Sequence, residues 1–211
     1  MPVLNESAGI QNFLESLPDA EIIIVDGGSD DDTRDIAAGY ATVICSEKGR
    51  AKQMNAGAAL ATGDILLFLH ADTQIPDNTM QLMQRFWVSG KSWGRFDVTL
   101  DGEHPAFRLI EFMMNWRSRI TGIATGDQAM FVKRSVFERV GGFASIDLME
   151  DIEFSRRLKS ISPPLCLPQR VVTSARRWEE RGILQTILLM WRLRLLYFLG
   201  ESPTTLGKQY R

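Results

Sequence analysis

The chain has 211 residues, of which 45% are hydrophobic and 24% charged, a composition that suits one sizeable globular domain with a short appendage. Its net charge of -2 lacks the basic excess of a nucleic-acid binder. Cys45 and Cys166 form neither a disulfide framework nor a metal-type pair, which points to a reducing, cytoplasmic setting; no apolar leader follows the amino terminus, and no uninterrupted apolar run is long enough for a bilayer.

In chain order, "MPVLNES" reads as a strand's end and the loop after it, with no apolar run ahead, so a first core strand reads as incomplete. "EIIIVDGG" predicts a fully buried strand closed by Gly27 and Gly28. "SDDDTRDIAAGY" has helix-start chemistry, with Ser29 as the expected cap and acids in the first turn. "TVICS" predicts a short strand, "GRAKQMNAGAALATG" a helix from about Arg50 to Gly63, and "DILLFLHAD" the next buried strand. "NTMQLMQRFWVSG" places Leu82, Met83 and Phe86 at helical spacing. Strands alternating with helices predict a mostly parallel sheet with right-handed crossovers.

The second half is less regular. "SWGRFDVTLDG" alternates like an exposed or edge strand, and "FRLIEFMMNWRSRIT" predicts an amphipathic helix. "DQAMFVKRSVFERVGGF" predicts a short strand, then a helix from about Ser135 to a Gly-Gly stop. "MEDIEFSRRLKS" predicts a helix with the pair Glu153 and Arg157. Pro163, Pro164 and Pro168 predict a loop before "RVVTSARRW". "GILQTILLMWRLRLLYFLG" is very apolar, but Arg192 and Arg194 make a spanning helix costly. Packing on its own domain is the favoured reading; an interfacial helix at a membrane and a homodimer contact are the alternatives.

Asp26 and Asp72 each close an apolar strand. Ligands of open α/β sheets bind outside the carboxyl ends of the strands, so these two acids belong on one rim. Asp30, Asp31 and Asp32 are read as helix-start acids. Asp72 has the chemistry to hold Mg²⁺ or Mn²⁺ against a diphosphate, and His70, two residues earlier on the same side of the strand, suits Mn²⁺. Glu150 and Asp151 open a helix, and an acid there could take a proton from a hydroxyl nucleophile. Arg176 and Arg177 beside Trp178 could clamp phosphate.

In this order the segments "MPVLNE", "IIIVDGGSDDDT", "GRAKQMNAGAALATGDILLFLHADT", "GDQAMFVKR" and "MEDIEFSRRL" resemble those of family 2 glycosyltransferases, from about Pro2 to Trp178. More narrowly, "DGGSDDDT", "GRAKQMNAGA", "LHADT" and "RRWEERG" resemble the arsenosugar-biosynthesis or radical-SAM/selenodomain-associated subgroup. The resemblance implies an α/β GT-A fold over residues 1–180 with a helical extension over 181–211. It implies an inverting, metal-dependent transfer from a UDP- or GDP-sugar, with Mn²⁺ or Mg²⁺, to an acceptor hydroxyl that is not specified. By the same likeness Pro2 and Glu6 approach the nucleotide, Asp26 accepts from the base, and Arg50 lies near the phosphates. Asp72, with His70 in place of the first acid of the D-x-D signature, binds metal. Gly126, Asp127 and Gln128 face the sugar or acceptor, Asp151 is the base, and Arg177 and Trp178 match the R-W pair that lies near the diphosphate.

Three departures stand out. His70 replaces an acid, Gly27 replaces the second acid of Asp-Asp-Gly-Ser, and Ser174 stands where a processive synthase has glutamine. A nucleotidyltransferase is a rival reading, but it would carry a Gly- and basic-rich pyrophosphate loop near the amino terminus, and none is seen. The other rival is a nucleotide-binding or scaffold protein without turnover, held at the inner face of a membrane or on a partner through residues 183–199.

Overall fold

The computed structural model describes residues 1–210. Its first part is a three-stranded parallel sheet ordered β1-β2-β3, formed by Pro2–Val3, Ile23–Asp26 and Thr42–Cys45. The β-branched run of β2 is the reason it sits in the middle: Ile24 and Val25 are fully buried between layers. Helices α1 (Ile10–Glu15), α2 (Thr33–Ala37) and α3 (Arg50–Leu60) connect and cover these strands. The opening segment is a two-residue strand in register with β2, Pro2 opposite Val25 and Val3 opposite Asp26.

The second sheet is mixed, in the order β4-β7-β6-β8-β5, from Ile65–Leu67, Phe131–Lys133, Trp93–Leu100, Leu165–Thr173 and Thr73–Gln74. Only β6 and β8 run parallel; the other pairings are antiparallel. Helix α4 (Thr79–Val88) buries Leu82, Met83 and Phe86, as its spacing predicts. Further on come α5 (Pro105–Thr121), a 3-10 turn at Gly126–Gln128, α6 (Arg134–Arg139) and α7 (Glu150–Lys159). An apolar pocket of about 680 Å³ is lined by Ile22 and Ile23 from the first sheet's side and by Ile65, Leu66 and Leu67 of β4.

Strand β6 corrects the edge-strand expectation, because it lies at the centre of its sheet and is buried from Trp93 to Val98. The charged positions that gave it an edge-like alternation are paired internally, although Arg95 Nε has no hydrogen-bond partner. Arg95, fully buried, pairs with Asp97, which also takes Arg119 at 2.6 Å, and Arg95 reaches the carbonyl of Asn115 at 3.2 Å. Paired buried charges read as surface charges in a pattern of side-chain types alone. Beyond Gly94, β7 no longer covers β6, and α5 takes its place. The Asn115 side chain accepts from Val98 N at 2.9 Å and donates to Val98 O at 3.0 Å, while Glu111 accepts from Leu100 N at 2.9 Å. Two helical side chains thus continue the ladder of a strand.

Pro168 lies inside β8, not in the expected loop. The register there jumps from Phe96 opposite Leu167 to Asp97 opposite Arg170, and a bulge is where a residue with no N–H can sit within a sheet.

The chain finishes with α8 (Arg176–Arg181), α9 (Ile183–Phe198) and α10 (Pro203–Tyr210). One face of α9 packs on its own domain: Leu193, with Leu206 of α10 and likewise fully buried, joins Leu148, Met149 and Ile152 in one cluster. The other face leaves Leu184, Leu188, Trp191 and Leu195 exposed. Phe112 and Trp116 on α5 are likewise exposed, with their rings stacked at 6.2 Å. No helix among the described residues is long and apolar enough to cross a membrane.

Candidate functional site

The loops leaving β1 and β2 are stitched into one rim. Backbone N–H groups of Asn5, Glu6 and Ser7 donate to the Ser29 hydroxyl, the Thr33 hydroxyl and the Asp31 carboxylate at 2.9, 2.8 and 3.1 Å. Asn5 adopts a left-handed conformation, φ 55°, and accepts from Asp30 N at 3.0 Å. Ser29 is therefore not the helix cap it was expected to be. Its hydroxyl and N–H, together with Gly28 N, all donate to Asp26. Burial pushes the Asp26 carboxyl up, but these donors outweigh it and leave the group below its ordinary range. Asp26 thus sits on the rim fully buried, with three donors from its own turn. Asp31, read as a helix-start acid, has a bridging role, since its carboxylate also takes the N–H and hydroxyl of Thr33.

Helix α3 locks this rim from beneath. Gln53 donates to Val3 O at 2.9 Å and Val25 O at 2.8 Å, tying the ends of β1 and β2 together. Gly27 leaves it room, because a Cβ there would lie 3.0 Å from the Gln53 amide nitrogen. Arg50 opens the same helix and is exposed.

The apolar run of β4 leads through Phe68 and Leu69 to His70 and then to exposed Asp72. His70 is enclosed. Burial and the Arg50 charge lower its pKa to about 4, against the opposing pull of Asp72 and Asp151. Both effects favour the neutral imidazole, the form that can ligate a metal ion. His70, Gly126, Glu150 and Asp151 line one small recess. Asp151 accepts from Gly126 N at 2.9 Å and from Ile152 N at 2.7 Å. Just before it, Met149 is forced to φ 69°, a strained conformation for an unbranched side chain that turns the first residues of α7 toward the recess. Glu150 is buried, and burial, then the Asp151 charge, pushes its carboxyl up to about 7.

The loop before α7 is pinned from two sides. Asn55 holds Phe143 through both backbone groups at 2.8 Å, and Arg157 donates to Val140 O and, at 2.7 Å, to Gly142 O. Arg157 also pairs with Glu153, as the helical spacing predicts.

Positive charge gathers around the same recess. Arg177, half-buried and stacked 4.3 Å over the Tyr210 ring, has its pKa lowered by burial and then by Arg50 and Arg181, while Asp127 and Asp72 oppose this. Glu6 lies within the field of Arg176, Asp72 and Asp31, and burial dominates in raising its pKa. Two cations not assigned to the site from the sequence, Arg117 on α5 and Arg194 on α9, lie within the field of Asp151 and Asp127. Their signal is an arginine among apolar residues of an amphipathic helix, which a solvated or snorkelling side chain also gives.

Most of the expected residues converge here. Glu6, Arg50, His70, Asp72, Asp127, Asp151 and Arg177 are coupled through their charges, and Gly126 lines the recess. Pro2 contributes through its pairing with β2. Gln128 and Trp178 are placed differently from expectation. Gln128 is fully buried, where its side chain accepts from Thr125 N at 3.2 Å and closes the 3-10 turn. Trp178 packs against the cluster of Leu100, Phe107, Ile110 and Ala175.

Among the described residues no group of three or more His, Cys, Asp or Glu side chains could hold a metal ion. Asp72 and neutral His70 fit a cation that takes one or two protein ligands and completes its shell with phosphate oxygens and water. Gly126 is part of that fit, because a Cβ at this position would lie 2.5 Å from His70 Nε2. Gly126→Ala is expected to displace the imidazole and raise the Mn²⁺ concentration needed for nucleotide-dependent stabilisation, with the fold retained. An unchanged Mn²⁺ midpoint in a thermal-shift titration would show that the ring has no part in the site.

A family model described as Glycosyl transferase family 2 matches residues 1–147. A PGL/p-HBAD biosynthesis glycosyltransferase of Mycobacterium tuberculosis is 38% identical over 88 residues, 36% of this chain and 34% of that protein. The chain spans between about a third and about half of the length of the curated relatives it matches. Among solved structures, the mannosyltransferase PcManGT of Pyrobaculum calidifontis, in complex with GDP-Man and Mn²⁺, superposes with a TM-score of 0.63 at 19% identity, over 99% of this chain and 67% of that one. Glucosyl-3-phosphoglycerate synthase of M. tuberculosis, in complex with Mn²⁺ and UDP-glucose, gives 0.56 at 17% identity, over 80% and 67%. These likenesses show an α/β fold of the GT-A type.

Proposed function

The chain belongs to glycosyl transferase family 2, and from that premise we propose that it is an inverting transferase moving a sugar from a nucleoside-diphosphate donor to an acceptor hydroxyl. The observation that carries this reading is that His70, just beyond β4, and Asp151, in the first turn of α7, line one recess with Gly126, whose N–H donates to Asp151, with Asp72 and Arg50 acting on the same imidazole. Residues 1–180 are the catalytic part in this reading, and 181–211 an extension that adds Arg194. The motif likeness to the arsenosugar and radical-SAM-associated subgroup supports a place there.

In the proposed reaction Asp151 takes the proton of the acceptor hydroxyl as its oxygen forms a bond to the anomeric carbon. The bond from that carbon to the diphosphate breaks on the opposite face, and the nucleoside diphosphate leaves with the electron pair. Gly126 N and Ile152 N hold the Asp151 carboxylate in position. Arg50 and Arg177 face the leaving phosphates as fixed positive charge, which is worth most where it needs no reorganisation. A divalent cation held by Asp72 and His70, when bound, supplies further charge to the diphosphate; the Mn²⁺ complexes of two proteins of this fold support that choice. The rim formed by Glu6, Asp26 and Asp31 receives the nucleoside, and the bound GDP-Man and UDP-glucose of the same two proteins leave both nucleotides to be tried.

Thermal unfolding with UDP and GDP, each with and without Mn²⁺, tests the reading. Nucleotide at a hundred times its dissociation constant adds about 2.7 kcal/mol. The expected result is a shift with one nucleotide that needs Mn²⁺ and disappears in Asp72→Asn. A cooperative melt indifferent to every nucleotide overturns the transferase and favours the scaffold reading.

A further inference from the structure

The turn that delivers Asp151 to the recess is an unfavourable one. Met149 enters α7 at φ 69° and ψ 19°, and no side-chain hydrogen bond caps the helix start. Neither the glycine nor the asparagine that eases this conformation stands there. A residue held in this way needs surroundings that fix it. Here they are apolar. Met149, Leu148 and Ile152 are buried in one cluster with Leu193 of α9 and Leu206 of α10, the last two fully so.

The carboxyl-terminal helices also reach the chain on either side of this turn. Gly207 of α10 is buried, and a Cβ there would lie 3.0 Å from the Asp147 Cβ, so the helix packs directly on the segment leading to Met149. Ile123, shortly before Gly126, packs against the same cluster. Ser155 of α7 ties down the next residue, accepting from Ala124 N at 3.1 Å and donating to Ala124 O at 3.3 Å. The cluster therefore supports both partners of one hydrogen bond, the Asp151 carboxylate and the Gly126 N–H that donates to it at 2.9 Å.

We propose that Leu193 and Leu206 are positioning residues for Asp151. By burying Met149 they keep it left-handed, and so keep the carboxylate on Gly126 N. The carboxyl-terminal helices then serve the reaction without touching a reacting group. This rests on the assignment of Asp151 as the base. With either leucine trimmed, the packing that offsets the Met149 conformation weakens, and the turn relaxes toward a right-handed entry that withdraws Asp151 from Gly126. Glycine at position 149 has no Cβ to resist the left-handed conformation, so it should hold the turn without that packing.

The test follows amide hydrogen exchange in the full chain. Gly126 N–H is compared with Ser29 N–H, which donates to Asp26 on the amino-terminal rim and serves as the reference. In Leu193→Ala and Leu206→Ala, Gly126 is expected to exchange at least about tenfold faster relative to Ser29. Turnover of a nucleotide-sugar donor should fall by about tenfold to a hundredfold, with the donor KM within about twofold of wild type, as for a misplaced catalytic group. Adding Met149→Gly should restore the Gly126 protection and most of the turnover while the melting temperature falls further, because the methionine side chain leaves the cluster. Leu206→Val, a milder trim, should show the same ordering if Leu206→Ala does not fold. Leu82→Ala in α4 also removes a buried leucine; it should lower the melting temperature and leave the ratio of Gly126 to Ser29 exchange unchanged. An equal ratio in Leu206→Ala and Leu82→Ala overturns the proposal, as does a Met149→Gly addition that lowers protection and stability together. Faster exchange with unchanged turnover overturns the catalytic consequence when Asp151→Asn is inactive; an active Asp151→Asn would show that the base assignment had failed instead. If wild type turns over no donor, the transferase reading fails, and the exchange ratios alone decide whether the two leucines hold the turn.

Discussion

Asp151→Asn is expected to lower kcat by about a thousandfold, within the range of 10² to 10⁴ that a positioned general base contributes, and to leave the nucleotide-dependent thermal shift intact. The substitution keeps the size of the side chain and one oxygen that can still accept from Gly126 N or Ile152 N. The recess should therefore hold its shape while the group that takes the proton is lost. Steady-state kinetics together with nucleotide binding separate the two effects. A variant with near wild-type kcat would remove Asp151 from the chemistry, and one that binds no nucleotide would make it part of the donor site.

Glu150→Gln is expected to stabilise the ligand-free protein at pH 8 by up to about 3 kcal/mol, and to have little effect near pH 4. Burial, then the Asp151 charge, raises this carboxyl from 4.5 to about 7 in the folded chain. Between those two pH values the folded protein holds a proton that the unfolded chain has released. Stability therefore falls as pH rises through that window, and the loss persists above it. Glutamine cannot ionise, so the fall should flatten. Urea unfolding at pH 4, 6 and 8 measures this, and parallel curves for wild type and variant would show that Glu150 carries no such burden.

The two carboxylates are neighbours in sequence with different settings. Asp151 reaches the recess and takes two N–H donors, whereas Glu150 is buried behind it. These different settings are produced by the first turn of one helix entered through the left-handed Met149.

Much of the rim could be read before the structure, because an apolar run that stops at a carboxylate is conspicuous. Asp26, Asp72 and the Glu150–Asp151 pair stand at ends of elements, where an ordinary core residue would have no reason to be charged. Most strands and helices of the first half followed from their periodicity, whereas the short α1 and β5 did not. What could not be read is polar chemistry that the fold turns inward. Gln53 and Asn115 look like surface residues of helices, yet each turns inward to hydrogen-bond the backbone of a strand. Arg95 and Asp97 made the central strand β6 look like an edge because their pairing is a matter of three dimensions. Arg117 and Arg194 were hidden by a related ambiguity. A single arginine in an amphipathic helix gives no sign of whether it faces solvent or a site.

The parallel pairing of β6 with β8 has a consequence in time. Gly94 finds Leu165 and Leu100 finds Thr173, whereas β2 finds β3 through residues as near as Ile23 and Thr42. Closing the longer stretch of chain costs more entropy and slows the step that depends on it. Synthesis from the amino terminus adds to the delay, since the ribosome releases the early strands first. Arg177 follows β8 directly, and Arg194 lies beyond it on α9. The side of the cleft that holds Asp26 and Arg50 can therefore be in place while the opposite side is still being made, and the last turns to dock are those that close the cleft.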